Sequence, residues 1–296
     1  MYDLAVIGGG VTGLLLANRF QHEKVVVIDD SDSKNSKASL WSIMPPLCGE
    51  LYDDCLSVVR AYEELCKKLG VPFRRVHIIR KSEKGLNGKK ISREDIRALE
   101  PSIDLDEAEY FDNGLFVEGE DLLMKLRENL NVVKAEVVEV VRKGNRVDSV
   151  LTSKGEIRAS NFAFTTGFKT STLFPEIPLQ LYKGHLITTR KAGLRGILIY
   201  KDRIAVEGRY LYLNGDSVKD TSKEVNYEEV NRTLRTLSEV LSIDTHDISI
   251  RVGFRTASQD GRPIVRKVAE NALLITGYRF GFALAPVLVE RARSQL

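Results

Sequence analysis

A glycine-rich turn near the start of the chain has the residue spacing of a dinucleotide-binding site. Gly8, Gly10 and Gly13 follow the apolar run 4–7 and lead into a helix-like segment. In this context the first glycine permits a tight turn and the second lets a pyrophosphate approach the backbone. The third glycine lets the helix pack closely on the strand. The turn therefore predicts a bound dinucleotide.

An acidic residue stands where the ribose of such a ligand would lie. Asp29 closes the apolar run 25–28 and comes 21 residues after the first glycine. Its carboxylate could accept the ribose hydroxyl groups, and it would repel a 2′-phosphate, which argues against NADP. Asp30 is the alternative ribose ligand, and both remain open. The N–H groups at the start of the intervening helix would bind the phosphates. These N–H groups belong to the first helical residues, Val11 and Thr12.

The elements that would hold these residues form an α/β pattern. Strand, glycine turn, helix and strand follow one another within the first 30 residues, as in a βαβ unit. Leucines and valines recur at helical spacing before Gly70, which stands where a helix C-cap would. Three β-rich runs over 132–164 predict an antiparallel meander that ends in a strand leading to 165–167. The apolar run 273–275 predicts a last buried strand.

The composition excludes several classes of protein. The 296 residues are 43% hydrophobic and 29% charged, with a net charge of +3 and no basic run, so we expect no nucleic-acid partner. The apolar stretch 272–289 contains Arg279, which argues against a membrane span. A strand-like run follows Met1 almost at once, so no signal peptide is expected. The histidines are scattered and predict no metal site.

The cysteines favour a reducing compartment. Cys48, Cys55 and Cys66 are odd in number, and their spacing fits neither a zinc site nor a CxxC redox pair. We therefore expect a cytoplasmic protein in a reducing compartment. Many Lys and Glu residues beside only four Gln also point to a heat-adapted source.

Four segments resemble, in order, the motifs of the D-amino-acid oxidase superfamily of flavoproteins. Residues 253–263 (GFRTASQDGRP) resemble its G-[LF]-R-P-x-x-x-D-G-x-P segment, with Thr256 in place of the proline. Residues 277–286 (GYRFGFALAP) resemble its closing G-H-x-x-x-G-x-x-L-A-P segment, with Tyr278 in place of the histidine. Residues 163–167 resemble its A-T-G strand end, and residues 38–39 resemble its A-S element.

The resemblance implies an α/β fold with two domains and bound FAD. A Rossmann-like (GR-type) FAD-binding domain would comprise 1–78, 118–172 and 250–296. A second, smaller antiparallel-sheet domain, comprising 79–117 and 173–249, would bind the substrate. The closing segment contains neither cysteine nor histidine, so FAD would be held without a covalent bond.

The resemblance also implies a set of cofactor-binding residues. The backbone N–H groups of 281–283 would face the flavin ring. The full set comprises Gly8, Gly10, Val11, Thr12, Gly13, Asp29, Asp30, Ala38, Ser39, Val138, Thr166, Gly167, Arg255, Gly281, Phe282 and Ala283.

Two arginines suggest where the substrate would bind. Arg255 and Arg279 match the two arginines of the glycine oxidases, which implies that Arg255 holds the substrate carboxylate and Arg279 lines the pocket. A planar guanidinium can hold a carboxylate through two parallel hydrogen bonds. Aromatic residues of the second domain could cover the substrate, Tyr210 and Tyr212 among them. We expect a structural role for His185.

The resulting hypothesis is an FAD-dependent enzyme that oxidises the C–N bond of a small amino or imino acid, such as glycine, sarcosine, D-proline or a D-amino acid. The electron acceptor would be oxygen or an unknown carrier. One alternative is a dehydrogenase linked to a dye or quinone. Another is a non-catalytic flavin-binding subunit of a larger complex, which the shortened second domain favours. The sequence leaves homo- and hetero-oligomers both open.

Overall fold

A computed structural model describes residues 1–30 and 34–296. Its eighteen strands are β1 Tyr2–Ile7, β2 Val25–Asp29, β3 Ser42–Ile43, β4 Phe73–Lys81, β5 Lys89–Ser92, β6 Glu107–Val117, β7 Val132–Lys134, β8 Val137–Lys143, β9 Arg146–Thr152, β10 Gly155–Ile157, β11 Ala159–Phe164, β12 Leu179–Thr189, β13 Ile197–Tyr200, β14 Arg203–Glu207, β15 Leu211–Asn214, β16 Ser249–Ser258, β17 Ile264–Ala269 and β18 Ala272–Thr276. Its eight α-helices are α1 Val11–Arg19, α2 Lys34–Lys37, α3 Tyr52–Leu69, α4 Arg93–Leu99, α5 Gly119–Arg127, α6 Thr170–Leu173, α7 Tyr227–Ser238 and α8 Gly281–Arg293. None of these helices is both long and apolar enough to cross a membrane.

A six-stranded sheet contains the predicted βαβ unit. Its strand order is β17-β18-β11-β1-β2-β7, and all strands except β17 run parallel. The apolar run of β1 pairs on both sides, Val6 with Val27 and with Ala163, and its alternate side chains are buried in two separate apolar clusters on the two faces of the sheet. The carboxyl ends of β1, β2 and β11 therefore meet at one edge, where open α/β sheets bind their ligands.

The predicted meander forms partly as expected. Strands β8, β9 and β10 make a separate three-stranded antiparallel sheet. The first and last β-rich runs, β7 and β11, join the six-stranded sheet instead. The apolar side chains of β11 are buried there, whereas Val132 and Val133 of the edge strand β7 are half-buried.

A nine-stranded sheet forms the second layer, in the order β16-β12-β15-β14-β13-β4-β6-β3, with β5 paired to β6. Its pairs are antiparallel except for β4 and β13. It takes β3, most of β4 and β16 from segments that the sequence assigns to the FAD-binding domain. The sheets and the predicted domain boundaries thus divide the chain differently, and the domain division stays a prediction.

The nine-stranded sheet is buried on both faces. Leu186, Val206 and Tyr212 point to one face and pack with the residues of α1, α3 and α8. Ile187 and Leu213 point to the other face, which α4 and α7 cover. Alternate residues of a strand face opposite sides of a sheet. Neighbouring apolar residues of β12 and β15 therefore belong to different cores.

Two of the three cysteines are paired, which their spacing in the sequence does not predict. Cys48 and Cys55 form a disulfide, with their Cα atoms 6.5 Å apart and a separation of seven positions in sequence. Two short 3-10 turns, at 45–47 and 49–51, bring Cys48 back onto the first turns of α3. Cys66 is free and buried, and burial raises the pKa of its thiol to about 12.

We expect loss of this disulfide to destabilise the protein. A cross-link that closes so short a loop contributes about 2.5 kcal/mol in the chain-entropy relation. The double variant Cys48→Ser/Cys55→Ser should lower the free energy of unfolding by about that amount. Denaturant titration measures it, with reductant-treated wild-type protein as the control. Thiol counting in denaturant should find one reactive thiol, because only Cys66 is free; three would show that the disulfide does not form.

Candidate active site

The glycine turn has the shape that the sequence predicts. Gly8 has a φ of 113°, which favours glycine, and a Cβ there would overlap the carbonyl oxygen of Thr165. A Cβ on Gly13 would overlap the carbonyl oxygen of Gly8, so α1 packs directly against the turn. Gly10 faces more open space, where the nearest atom to an added Cβ is Ser36 Oγ at 3.1 Å. The turn thus leaves its open side beside Gly10.

The start of α1 directs backbone N–H groups to this open side. The Val11 N–H donates to Ser36 Oγ at 3.0 Å, and the first bond within the helix is from Leu14 N–H to the Gly10 carbonyl. The N–H groups of Thr12 and Gly13 thus have no partner within the helix. The Thr12 hydroxyl is hydrogen-bonded to the Tyr278 hydroxyl at 2.6 Å. Burial raises the pKa of Tyr278 to about 12, so this phenol stays protonated.

The two candidate ribose acids occupy different places. Asp29 is buried beside the turn, where a Cβ on Gly9 would lie 2.5 Å from the Asp29 carboxyl carbon. Arg127 of α5 forms an ion pair with Asp29 and donates to the Gly9 carbonyl. Asp30 points instead to Lys169, at 2.7 Å. Asp29 is therefore the acid that lies against the glycine turn.

Two further predicted segments meet near this edge. Gly167 follows β11 with a φ of 52°, and the Thr166 hydroxyl is bonded to that of Thr170 at 2.8 Å. Ala38 packs on β16, where a Cβ on Gly253 would lie 2.7 Å from Ala38 Cβ. The hydroxyl of the adjacent Ser39 accepts a hydrogen bond from Trp41 N–H. Contact between Ala38 and Gly253 brings the A-S element against the strand that carries Arg255.

The first turn of α8 presents a second set of N–H groups. The first bond within this helix is from Leu284 N–H to the Phe280 carbonyl, so the N–H groups of 281–283 have no partner within the helix. Gly281 faces open space, with the Tyr278 ring as the nearest neighbour of an added Cβ, at 3.8 Å. The Phe282 ring stacks on Tyr62 at 4.4 Å, and the Tyr62 hydroxyl donates to the Phe282 carbonyl. These contacts fix where the helix begins.

One predicted cofactor residue lies apart from this edge. Val138 is in β8 of the separate three-stranded sheet, and its side chain is 61% exposed. The other segments supply a backbone cradle at the glycine turn, a buried acid, and two helix N-termini. This set matches what a dinucleotide needs: donors for the pyrophosphate, an acceptor for the ribose, and backbone open to close approach. The residues therefore fit FAD.

Arg255 crosses the neighbouring strand to reach its partners. It lies on β16 opposite Tyr182 of β12, and its guanidinium passes over Gly184. A Cβ on Gly184 would lie 2.9 Å from Arg255 Nη2. Beyond β12, Nη1 donates to the Asp216 carbonyl and Nη2 to Asn214 Oδ1, both at 2.9 Å. The glycine thus makes the room that the arginine needs.

Two positive charges lie close together here. Burial lowers the pKa of Arg255, nearby Asp216 raises it, and Arg279 lowers it further. Arg279 is exposed, and its guanidinium has no ion pair with any residue in 1–30 or 34–296. An arginine remains protonated despite such shifts. The pair therefore forms a positive site that suits an anionic ligand.

The predicted tyrosines lie elsewhere on the sheet. Tyr210 is half exposed in the turn before β15, and its ring meets that of Tyr212 at 6.4 Å. Tyr212 is buried and packs on Phe116. Among the residues that the structure describes, neither tyrosine is hydrogen-bonded to Arg255 or Arg279. A role for them in the pocket stays a prediction.

The residues that hold Arg255 cannot be identified from the sequence alone. Asn214 and Asp216 flank Gly215, and this Asn-Gly-Asp triplet alone predicts only a turn. Gly184 and His185 stand next to each other on β12. Buried polar residues need partners, so Asp216 and His185 could have been paired only if the neighbouring strands had been known.

Comparisons with known proteins agree with this geometry. A sequence model of the DAO family, described as FAD dependent oxidoreductase, matches residues 3–291. No curated protein matches the chain. The chain is similar in structure to glycine oxidase from Bacillus cereus ATCC 14579, with a TM-score of 0.85, 19% identity, and coverage of 100% of this chain and 97% of the other.

Two further solved structures share the fold. L-proline dehydrogenase from P. horikoshii has a TM-score of 0.79 and 16% identity, over 98% of this chain and 91% of the other. Iminodiacetate oxidase from Chelativorans sp. BNC1 has a TM-score of 0.82 and 17% identity, over 99% and 95%. Because the family match spans nearly the whole chain and the fold agrees from end to end, this protein belongs to the DAO family of FAD-dependent oxidoreductases.

Proposed function

We propose that this flavoenzyme oxidises the C–N bond of a small amino or imino acid. The observation that carries the proposal is Arg255, a half-buried arginine held by Asn214 and Asp216 on a strand that packs against the proposed cofactor-binding segment at Ala38. The similar folds include an oxidase of glycine, a dehydrogenase of L-proline and an oxidase of iminodiacetate, which all act on amino acids.

The residues of the site have separable tasks in this proposal. The N–H groups at the starts of α1 and α8 hold the pyrophosphate and the flavin ring, and Asp29 accepts the ribose hydroxyls. When bound, FAD supplies the acceptor for the two electrons that leave the C–N bond. Arg255 holds the substrate carboxylate through paired hydrogen bonds, and Arg279 adds a second positive charge beside it. A fixed carboxylate fixes the direction in which the substrate Cα points.

A non-catalytic flavin-binding subunit accounts less well for these residues. Taking a guanidinium out of water is unfavourable unless its charge is compensated. Here Gly184 leaves room for the guanidinium of Arg255, and the Asp216 carbonyl and Asn214 Oδ1 accept hydrogen bonds from it. A subunit with no anionic ligand would not need this arrangement.

The test is an anaerobic visible spectrum of the purified holoenzyme before and after addition of glycine, sarcosine, D-proline, L-proline, D-alanine or iminodiacetate. We expect one of them to bleach the oxidised flavin. Admission of air then distinguishes an oxidase, which regains its colour without an added acceptor, from a dehydrogenase, which needs a dye or quinone. A yellow protein that no amino or imino acid bleaches would contradict the proposal.

The ribose acid can be identified with a matched pair of variants. Asp29→Asn should weaken FAD binding by about tenfold to a hundredfold, because a hydrogen bond to a charged acceptor contributes about 1.5–3 kcal/mol. Asp30→Asn should leave the FAD dissociation constant nearly unchanged, since Asp30 points to Lys169. Titration of the apoprotein with FAD, followed by flavin fluorescence, measures both. If Asp30→Asn weakened FAD binding and Asp29→Asn did not, Asp30 would be the residue that binds the ribose.

A further inference from the structure

Arg255 is held from behind by a buried network that extends across three strands. Its two terminal nitrogens donate to the Asp216 carbonyl and to Asn214 Oδ1. A guanidinium has five N–H donors in a fixed planar arrangement. Two are used here, so each terminal nitrogen keeps one N–H for a ligand.

His185 organises both of these acceptors. Its carbonyl oxygen accepts from Asn214 Nδ2 at 2.8 Å, which turns the amide oxygen of Asn214 toward Arg255. Its backbone N–H donates to one oxygen of the Asp216 carboxylate at 2.8 Å, and its ring Nδ1 meets the other oxygen at 2.6 Å. The side chains of His185 and Asp216 are each 1% exposed, so water does not compete for these bonds.

The hydrogen bonds determine the protonation state of His185. Its Nε2 lies 3.0 Å from the backbone N–H of Asn226, which can only donate. Nε2 therefore carries the lone pair, and Nδ1 carries the proton that it donates to Asp216. The ring is neutral, and the negative charge of the pair belongs to Asp216.

The negative charge of Asp216 lies close enough to Arg255 to stabilise the guanidinium. Burial raises the pKa of Asp216, whereas the hydrogen bonds from His185 and the nearby charge of Arg255 lower it, and the resulting pKa lies below its usual value, so Asp216 stays ionised. The charge of Asp216 raises the pKa of Arg255 and so stabilises its protonated form, and the charge of Arg279 acts in the opposite sense.

We propose that His185 and Asp216 are positioning residues that fix the guanidinium of Arg255 for a carboxylate ligand. The inference rests on the proposed function for the identity of that ligand. His185 acts through Asp216 and Asn214, and neither His185 nor the Asp216 carboxylate donates to the ligand itself.

Two substitutions of His185 distinguish positioning from a general structural role. Asn places its amide nitrogen where the histidine has Nδ1, so His185→Asn retains the bond to Asp216 and loses the bond to Asn226. Gln places its amide group where the histidine has Nε2, so His185→Gln does the opposite. Asp216→Asn removes the negative charge. It also leaves only one side-chain oxygen to accept from the two donors of His185, the backbone N–H and the ring Nδ1–H. Glu224→Gln is the control, because it removes an exposed carboxylate from the same chain segment.

The measurements are the dissociation constant of acetate, read from the flavin spectrum of the holoenzyme, and KM and kcat with the amino acid that bleaches it. We expect His185→Gln and Asp216→Asn to raise both the acetate dissociation constant and KM by about tenfold or more. The value of kcat should change little, because the arginine holds the carboxylate before and during the reaction. His185→Asn and Glu224→Gln should stay close to wild type. Equal losses in His185→Asn and His185→Gln would overturn the inference.

Crystal structures of the same variants test the inference independently of the substrate. We expect Arg255 to leave its contacts with Asn214 and Asp216 in His185→Gln and to retain them in His185→Asn. An unmoved guanidinium in His185→Gln would overturn the inference. If wild-type protein binds no acetate and no amino acid bleaches it, while Arg255 moves as expected, then the proposed function fails and the positioning role stands.

Discussion

Replacement of Arg255 by alanine should lower kcat/KM by roughly 10² to 10³ or more. Loss of one member of a buried, hydrogen-bonded charge pair costs about 3–5 kcal/mol, and each 1.4 kcal/mol corresponds to a factor of ten. The effect arises at the substrate, because the guanidinium is the group that can hold its carboxylate. Rapid-mixing measurement of flavin reduction at several substrate concentrations gives the value.

The matched control is Arg262→Ala, which removes an arginine from the same segment at a side chain that is 72% exposed. It should leave kcat/KM within a factor of two or three, as expected for an exposed ion pair. Arg255→Lys should recover only part of the loss, because an ammonium cannot form two parallel hydrogen bonds with a carboxylate. A wild-type value of kcat/KM in Arg255→Ala would exclude Arg255 from substrate binding.

Gly13→Ala should yield a protein that does not retain FAD. An added Cβ would overlap the Gly8 carbonyl oxygen and meet Thr165 Oγ1, and both belong to the packed edge of the six-stranded sheet. Relief of the overlap requires α1 to move away from the turn, which carries the N–H groups of Thr12 and Gly13 away from the pyrophosphate. The ratio of flavin absorbance to protein absorbance after gel filtration measures the loss.

Gly144→Asn is the control for the loss of a glycine. Gly144 has a φ of 60° in an open hairpin turn where an added Cβ meets no atom within 4 Å, and asparagine tolerates this conformation. This variant should bind FAD as the wild type does. If Gly13→Ala also binds FAD stoichiometrically and with wild-type affinity, then the close packing of α1 is not needed for the cofactor.

Local features of the fold follow well from the sequence. Gly70 ends α3 in the left-handed conformation with a φ of 67°, as its position predicts. The glycine turn and the acid at the end of β2 come together because a βαβ unit has one right-handed arrangement. Each of these features depends on residues that are close in sequence.

Features that depend on strand order could not be predicted. Arg255 meets Asn214 and Asp216 only because β12 lies between β16 and β15. That order depends on pairing between strands that are far apart in the sequence, which no local pattern encodes. The disulfide likewise depends on two turns that return Cys48 to α3, a path that its spacing from Cys55 does not indicate.

The path of the chain between the two large sheets limits how early the protein can fold during its synthesis. The chain leaves the six-stranded sheet after β2 and again after β11, and it returns at β7 and at β17. A single cut anywhere between β1 and β18 divides the six-stranded sheet, so a truncated polypeptide would expose unpaired strand edges and apolar faces. During synthesis, Arg255 is reached only after most of the chain has been translated. Completion of the six-stranded sheet, Arg255 and the start of α8 must therefore all await the last fifty residues.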